Sequence, residues 1–330
     1  MFMSVRQGSL KHKQPQPSVK YQRFSPKTAK RKDKKMPLII PEKIPAYKLL
    51  KDFVFVMGEK RATHQDIRPL KVLIFNLMPT KIETENQLLS LLGNSPLQIE
   101  ITLLKTKSYE SKHTPKSHLD SFYVSFDDIC GTSFDAAIIT GAPIEHLEFE
   151  RVDYWDELCK IMDYLRTHAT STMYICWGAM AGLYHFHGVK KIMLKRKLFG
   201  IFKHELKSKD IILSGLNEIV NLPHSRHSTI DEKAVRQNAN LQVLLEGKKS
   251  GITMIKDDKD IFMLAHPEYS KFTLDEEYKR DLAKGLKIAK PKRYYDKSGK
   301  VKMSWRSSAS VLFANWLNLV YQETPFVLGK

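Results

Sequence analysis

The chain of 330 residues has few cysteines and no long apolar run. Its three cysteines, Cys130, Cys159 and Cys176, are odd in number and widely spaced. Such spacing excludes a disulfide framework and a CxxC metal pair, and it favours a reducing cytosol, so we predict a cytoplasmic protein. No apolar stretch approaches the ~18 residues of a membrane-spanning helix, and we expect no membrane association.

Acidic residues are also few: 36 Asp and Glu stand against 54 Lys and Arg, giving a formal net charge of +18. Residues 1–35 alone carry eleven Lys or Arg and a single acid, Asp33, so that the remaining 295 residues carry only +8. This mild bias suits a polyanionic small molecule as well as nucleic acid. We do not expect a nucleic-acid partner.

Residues 1–35 are rich in Lys, Gln, Ser and Pro and lack apolar periodicity, a composition typical of disorder. Met36 opens a more apolar sequence and could be the true first residue, which would make the tail a start-site artefact. A basic arm for an anionic surface and an organellar transit peptide stay open as alternatives. We predict that residues 36–330 form a single domain.

From about residue 70 the chain alternates between apolar strands and amphipathic helices. The predicted strands are 71–77, 97–104, 134–140, 171–176 and 260–265, and the predicted helices are 80–92, 152–168, 273–288 and 308–321. For the first helix, Thr80 or Thr84 is the expected cap. This βαβ alternation predicts a doubly wound, largely parallel sheet with helices on both faces and ligands at the carboxyl ends of the strands.

Cys176 ends one of these apolar strands and is followed at once by small residues that begin a helix. A cysteine at such a turn points its sulfur to the mouth of the sheet, and the helix N-terminus favours the thiolate. His266 follows another apolar strand. Because residues i and i+2 of an extended segment share a face, Glu268 is placed to orient the imidazole. Nucleophile, base and orienting acid together predict a cysteine-nucleophile enzyme.

Other interpretations of these residues stay open from the residues alone. A cysteine in an apolar strand often only packs, so Cys176 could belong to the core. The histidine pairs His185 with His187 and His224 with His227 have spacings that could suit a metal. They lack an acidic or cysteine partner nearby in sequence, and we predict no metal site.

Glu83 and Glu85 lie in the first turn of a predicted helix. A pair of carboxylates could serve catalysis, but acids at this position more often complement the helix dipole. We interpret both in that second way.

The sequence resembles the homoserine O-acyltransferases, relatives of the class I glutamine amidotransferases, from Met36 to about Phe326. The stretches that carry the resemblance are residues 53–57, 67–73, 76–85, 140–143, 223–226, 266–269 and 304–306. The resemblance implies a flavodoxin-like fold of the glutamine amidotransferase type. It also implies an enzyme of methionine biosynthesis that acts on L-homoserine, uses an acyl-CoA as cosubstrate, holds no permanently bound cofactor and forms a homodimer.

Position by position, the resemblance makes Cys176 the nucleophile that carries the acyl group as a thioester. His266 becomes the proton acceptor and Glu268 its partner. For the oxyanion of the intermediate we expect two backbone N–H groups, one from Trp177 and one from the loop at Ala142.

The resemblance also places substrate-binding residues at Lys197, Ser225 and Arg280. From the residues alone, Lys197 is one of several neighbouring cations, and Arg280 could pair with Glu276 one helical turn away. Met180 departs from the family pattern, where many members carry Gln. This departure puts in doubt a polar contact behind the nucleophile.

Glu145 bears on the acyl donor, because in this family Gly at that position accompanies succinyl-CoA and Glu accompanies acetyl-CoA. A carboxylate there would fill the acyl pocket and repel the carboxylate of a succinyl group. The predicted activity is therefore homoserine O-acetyltransferase, which forms O-acetyl-L-homoserine and CoA. The alternatives are succinyl transfer, a hydrolase with the same triad, and a binding protein that keeps an inactive enzyme fold.

Overall fold

The computed structural model describes residues 38–39, 41, 43–50, 56–57, 68–108 and 113–324. All of them fall within one compact unit, Lys35–Lys330. The predicted basic tail of residues 1–35 lies outside the described residues.

The strand Leu70–Phe75 shows how the sheet acquires a core on each face. Val72 and Ile74 pack into one apolar cluster, and Leu73 and Phe75 pack into the other. This division follows from the alternation of side chains along a strand, and all four side chains are fully buried. A strand covered on both faces needs a continuous apolar sequence, which is what residues 72–75 provide.

Twelve strands of the described part of the chain form one sheet. They are β1 (Leu38–Ile39), β2 (Val56–Met57), β3 (Leu70–Phe75), β4 (Ile99–Leu104), β5 (Tyr123–Val124), β6 (Phe134–Ile139), β7 (Ala169–Ile175), β8 (Lys191–Leu206), β9 (Ile219–Ile230), β10 (Gln242–Gly247), β11 (Gly251–Lys256) and β12 (Ile261–Met263).

The strand order is β2-β1-β4-β3-β6-β7-β12-β11-β10-β8-β9, with β5 beside β4. Strands β1 to β7 and β12 pair in parallel with one another. The other four pair antiparallel and extend the sheet beyond β12. The predicted largely parallel, doubly wound sheet is confirmed, and the carboxyl ends of β3, β6, β7 and β12 meet at one edge.

Helices cover both faces, as predicted. They are α1 (Pro45–Leu50), α2 (Lys81–Leu92), α3 (Lys116–Phe122), α4 (Phe126–Ile129), α5 (Trp155–His168), α6 (Trp177–His187), α7 (Glu232–Gln237), α8 (Thr273–Ala283) and α9 (Arg306–Glu323). Apolar residues of α2 and α9 pack on one face, and those of α5 and α6 on the other. Full burial of one large apolar side chain such as Phe313 contributes about 1.5–3 kcal/mol. No helix among the described residues combines the length and apolarity of a membrane span.

The helix predicted over 273–288 is too long, because α8 ends at Ala283. Gly285 follows with a φ of 74°, and the N–H of Leu286 turns back to the carbonyl of Asp281 at 3.1 Å. A left-handed glycine just past the last turn is a common helix terminator. The early end brings Leu286 back to the cavity described below.

Of two other helix starts, one differs from the prediction and one agrees with it in position. The helix predicted from residue 152 begins at Trp155, after a short 3-10 turn over Phe149–Arg151. Helix α2 follows Thr80, but the Thr80 side chain makes no capping bond. Thr84 lies inside the helix, where its hydroxyl donates to the Thr80 carbonyl at 3.4 Å. Of the two predicted caps, Thr80 does occupy the N-cap position, although without a side-chain bond, and Thr84 does not.

Strands β8 and β9 form a long hairpin that the sequence analysis did not predict. Their pairing runs from Lys191 opposite Ile230 to Glu205 opposite Ile219. Between the pairs at Met193 and Leu198 the register shifts, so residues 194–197 stand opposite one residue of β9. This irregularity is a bulge, and bulges bend a strand and redirect its side chains. Lys197, the last residue of the bulge, lies in the cavity.

Candidate active site

Cys176 lies in a strained turn between β7 and α6. Its φ of 52° is in the left-handed region, which residues other than glycine rarely adopt. The Cys176 N–H donates to the Met263 carbonyl of β12 at 2.7 Å, and its own carbonyl accepts from the Met180 N–H at 3.2 Å. The turn is therefore anchored on both sides and holds the cysteine at the edge of the sheet.

The small residues after Cys176 allow the helix to approach the sheet closely. A Cβ atom at Gly178 would lie 2.6 Å from the Thr140 carbonyl oxygen, and one at Gly182 would lie 2.9 Å from the Phe262 ring. A Cβ at Gly141 would lie 3.3 Å from the Cys176 Cβ. The run of small residues that drew attention to this turn is thus required by contact with β6, β12 and the loop after β6.

The side chains of His266 and Glu268 are in contact, in the segment that follows the end of β12. The Nδ1 atom of His266 lies 2.7 Å from Oε1 of Glu268, and both side chains are buried. The segment is not extended as predicted: Pro267 and Glu268 form a turn in which the Tyr269 N–H donates to the His266 carbonyl at 3.2 Å. The predicted contact is present, although its geometry comes from a turn.

The charges around His266 favour its protonated form. Burial would lower the pKa of His266, but the negative charges of the Cys176 thiolate and Glu268, with hydrogen bonds to both, raise this pKa well above its ordinary value. The Tyr269 ring stacks on the imidazole with 4.2 Å between centroids. Since Nδ1 bonds Glu268, the Nε2 atom is left to exchange a proton with Cys176.

One cavity of about 300 Å³ brings together most of the predicted site residues. Those that line it are Ala142, Glu145, Cys176, Lys197, Ser225, His266 and Arg280. Trp177 and Glu268 are buried behind its wall. The roles assigned to these residues from the sequence stay predictions, but the structure places them around one space at the carboxyl edge of the sheet.

Two acids of α8, which the sequence analysis missed, organise the predicted substrate-binding residues. Glu277 accepts a hydrogen bond from the Ser225 hydroxyl and lies 3.5 Å from the Lys197 ammonium. Asp281 lies 3.2 Å from Lys197 and accepts from the Arg280 guanidinium at 3.0 Å and 3.1 Å. The sequence did contain one indication of their role, because the two acids stand four residues apart on a charged helix. The cavity wall therefore contains both cations and anions.

The loop after β6 lies beside the nucleophile. The Trp177 N–H opens helix α6, and the first N–H groups of a helix have no partner within it. A Cβ at Gly141 would lie 3.7 Å from this nitrogen, so the Gly141–Ala142 peptide is adjacent to it. The arrangement suits two backbone donors on one developing oxyanion.

Glu145 lies on the same loop and is half-buried in the cavity wall. One of its carboxylate oxygens accepts from the His227 N–H of β9 at 3.2 Å. This bond ties the carboxylate to the hairpin, and Glu145 forms part of the wall of the cavity that Cys176 also lines.

Met180, the departure from the family pattern, is buried one helical turn after Cys176. The Ser228 hydroxyl donates to its thioether sulfur at 3.2 Å. A polar contact behind the nucleophile is thus present here between a hydroxyl and a weak sulfur acceptor.

A second group that the sequence analysis missed lies where β3 ends. The Lys81 ammonium is buried and donates to the Asn76 carbonyl, and burial, partly offset by Glu85, lowers its pKa to about 8. Glu85 is fully buried and bonds His118 at 3.0 Å and the Tyr123 hydroxyl at 2.5 Å. The interpretation of Glu85 as a helix-dipole acid is therefore incomplete.

The histidine pairs do not converge on a common ligand. His185 bonds Asp163 at 2.7 Å, His187 bonds Asp257 at 2.8 Å, and the His224 ring faces His204 at 3.0 Å. Across the part of the chain that the structure describes, no group of three or more metal-binding side chains comes together.

Comparisons of the sequence with known proteins identify its family. A family model described as homoserine O-succinyltransferase matches residues 37–326. A Campylobacter jejuni protein named homoserine O-acetyltransferase is 56% identical over 297 residues, which cover 89% of this chain and 100% of the relative. An Ilyobacter polytropus protein named homoserine O-acetyltransferase 1 is 51% identical over 301 residues, with coverage of 89% and 100%.

Solved structures support the fold. A glutamine amidotransferase from Thermotoga maritima superposes with a TM-score of 0.52 at 12% identity, covering 77% of this chain and 99% of that one. The predicted glutamine amidotransferase-like fold is confirmed. With its family model matched over nearly the whole chain and relatives sharing half its residues, the chain belongs to the homoserine O-succinyltransferase family.

Proposed function

We propose that this protein is a homoserine O-acetyltransferase that transfers the acetyl group of acetyl-CoA to the hydroxyl of L-homoserine. The observation that carries the proposal is the single cavity that joins Cys176, His266 and the Glu145 carboxylate. The names of the relatives from Campylobacter jejuni and Ilyobacter polytropus support the same activity.

In the first half-reaction, His266 accepts the Cys176 proton on Nε2, and the thiolate attacks the thioester carbon of acetyl-CoA. The tetrahedral oxyanion is stabilised by the N–H groups of Trp177 and Ala142. Its collapse breaks the bond to the CoA sulfur, which leaves with the proton from His266. The acetyl group remains on Cys176 as a thioester.

In the second half-reaction, L-homoserine occupies the space left by CoA. His266 takes the proton of its γ-hydroxyl, and the oxygen attacks the thioester carbon. The new ester is released when the bond to the Cys176 sulfur breaks. Because both transfers use one covalent intermediate, the kinetics are ping-pong.

The charged wall of the cavity suits an amino-acid substrate. Arg280 provides a planar donor for the homoserine carboxylate, and Lys197 adds a second positive charge. The ammonium group of homoserine then faces Glu277 and Asp281, which hold these cations in the free protein. Binding of homoserine would therefore break these internal ion pairs and replace them with ion pairs to the substrate.

Glu145 is our reason for choosing acetyl over succinyl, although the family model is described as a succinyltransferase. Its carboxylate accepts a hydrogen bond from the His227 N–H and lies in the wall of the cavity that Cys176 also lines. A succinyl group would bring a second carboxylate against it, whereas an acetyl group has neither the charge nor the bulk.

The direct test mixes purified protein with L-homoserine and either acetyl-CoA or succinyl-CoA. We expect CoA release with acetyl-CoA, and O-acetylhomoserine as the product identified by mass. Preference for succinyl-CoA would keep the family and the chemistry but discard the Glu145 argument. Activity with neither donor would contradict the proposal.

Glu145→Gly should move donor preference toward succinyl-CoA. We expect the ratio of kcat/KM for acetyl-CoA over succinyl-CoA to fall by at least about tenfold, because both bulk and charge are removed. Glu145→Gln separates the two causes, since it keeps the size and removes the charge. Glu148→Gly on the same loop is the matched control and should leave the ratio unchanged. An unaltered ratio in Glu145→Gly would show that this carboxylate does not select the donor.

We also propose that the enzyme acts in the cytoplasm, as a homodimer, in methionine biosynthesis. A reducing compartment would keep Cys176 as a thiol, and all three cysteines are free. The pathway and the dimer follow from the family resemblance, and a chromatographic mass measurement would test the dimer.

A further inference from the structure

Tyr269 lies three residues after His266 and packs its ring flat on the imidazole. The two ring centroids are 4.2 Å apart and the ring planes are inclined by 19°. Tyr269 is buried and lines the cavity that contains Cys176. The proposed mechanism leaves this side chain without a role, although it is in direct contact with the general base.

Three hydrogen bonds hold Tyr269 in place. Its N–H donates to the His266 carbonyl at 3.2 Å, and its carbonyl accepts from the indole N–H of the fully buried Trp305 at 3.0 Å. Its hydroxyl donates to Oε1 of Glu277 at 2.8 Å. Burial and the charge of Glu277 raise the pKa of Tyr269 well above its ordinary value, so the hydroxyl keeps the proton that it donates. The ring is therefore anchored both at its backbone and at its hydroxyl.

A ring held in this way restricts the imidazole of His266. The His266 N–H donates to the Pro223 carbonyl at 2.9 Å, and Nδ1 bonds Glu268 at 2.7 Å, which together fix the backbone and one edge of the imidazole. The stacked tyrosine limits the tilt of the imidazole plane. An edge and a plane determine where Nε2 points, and small errors in the placement of a catalytic group are costly.

The carboxylate of Glu277 joins the same tyrosine to the wall of the cavity. Its Oε1 accepts from Tyr269, whereas its Oε2 accepts from the Ser225 hydroxyl and lies 3.5 Å from the Lys197 ammonium. Ser225 and Lys197 are the residues expected to bind homoserine. Two direct contacts, the ring stack and the hydroxyl bond, thus connect His266 to the carboxylate that organises this wall.

We propose that Tyr269 is a positioning residue for acyl transfer: its ring keeps Nε2 of His266 directed at Cys176, and its hydroxyl, through Glu277, sets the place of this base relative to bound homoserine. The role of the ring serves both half-reactions, because His266 acts in both. The role of the hydroxyl serves only the second half-reaction, in which homoserine is present. The inference rests on the proposed function for this division.

The test measures the two half-reactions separately. Acetylation of Cys176 is followed by CoA release with acetyl-CoA alone, and transfer from the isolated acetyl-enzyme to L-homoserine is followed by loss of the acetyl mass. Tyr269→Leu removes the ring and should slow both steps by about tenfold or more. Tyr269→Phe keeps the ring and removes the hydroxyl. It should leave acetylation within about twofold of the parent and slow transfer to homoserine by about fivefold or more.

Tyr164→Leu is the matched control, because Tyr164 of α5 also stacks on a histidine, His168, with 3.9 Å between ring centroids. Its hydroxyl donates to two backbone carbonyls, and neither residue of this pair lines the cavity. The variant should lose thermal stability and keep both half-reactions unchanged. Tyr269→Met is the second variant without a ring if Tyr269→Leu does not fold. Parental rates of both steps in a folded Leu or Met variant, or parental transfer to homoserine in Tyr269→Phe, would overturn the proposal.

Alkylation of Cys176 by iodoacetamide at neutral pH tests the ring without any acyl donor. In a Cys130→Ser, Cys159→Ala background, which leaves one cysteine in the chain, Tyr269→Leu should slow alkylation by about fivefold or more, since a displaced imidazole withdraws the thiol proton less well. Tyr269→Phe should react like the parent. This result is obtained even if neither acyl-CoA reacts, so failure of the proposed function and failure of the positioning role are distinguishable.

Discussion

We expect Cys176→Ala to abolish acetyl transfer, with a loss of at least about 10⁴-fold in kcat. The reason is that Cys176 is the nucleophile of the proposed mechanism, and neither Cys130 nor Cys159 lines the cavity. With acetyl-CoA alone, the parent protein gains the mass of one acetyl group on the peptide that contains Cys176, and the variant gains none. The measurement is intact and peptide mass, alongside CoA release.

Cys159→Ala is the matched control for this experiment. Cys159 is partly buried on α5, and burial together with nearby acids raises the pKa of its thiol to about 12. It should therefore remain an unreactive thiol, and its replacement should leave turnover unchanged. Full activity in Cys176→Ala, or an acetyl group found on Cys159, would contradict the mechanism.

Acidification from pH 6.5 to pH 4 should destabilise the protein through its buried neutral histidines. The pKa of His204 is about 4 in the folded state against an ordinary value of 6.5, so in this interval the unfolded chain binds more protons than the folded one. Stability then falls as pH falls, and a pKa difference of this size corresponds to about 3 kcal/mol. His224 acts in the same direction. His266, whose pKa is raised, contributes stability that is fully present below pH 6.5 and is lost as the pH rises above that value.

Urea unfolding at a series of pH values measures this dependence. His204→Gln should be less stable than the parent at pH 7, because it loses buried hydrogen bonds, yet its stability should change less between pH 6.5 and pH 4. Parallel curves for the two proteins would show that His204 does not stay neutral in the folded state.

The central strands and the turn at Cys176 could be predicted because local sequence determines them. Residues 72–75 must be apolar to be buried on both faces, and the small residues at 178 and 182 report the close contact of α6 with the sheet. The ordered motifs then identified the family, which the comparisons confirm. His266 and Glu268 were paired correctly, although through a turn rather than an extended segment.

Features set by contacts distant in sequence could not be predicted in this way. The bulge of residues 194–197 depends on pairing with β9. The lysine-rich sequence of this segment does not indicate where the pairing between the two strands shifts. The acids Glu277 and Asp281 gain their meaning only when α8 lies across the cavity from Lys197. Arg226 is fully buried, and nothing in the sequence distinguishes it from the other basic residues of a basic chain.

The contact at Gly178 has a consequence for redesign of the enzyme. Because Gly178 has no room for a side chain against the Thr140 carbonyl, the distance between the nucleophile and the loop after β6 is a fixed dimension of the scaffold. The part of the wall formed by Glu145, further along the same loop, is adjustable, since Glu145 is joined to the hairpin by one hydrogen bond. Larger acyl groups are best accommodated by trimming that wall, while any enlargement on the Gly178 side would separate the thiol from the donors it needs.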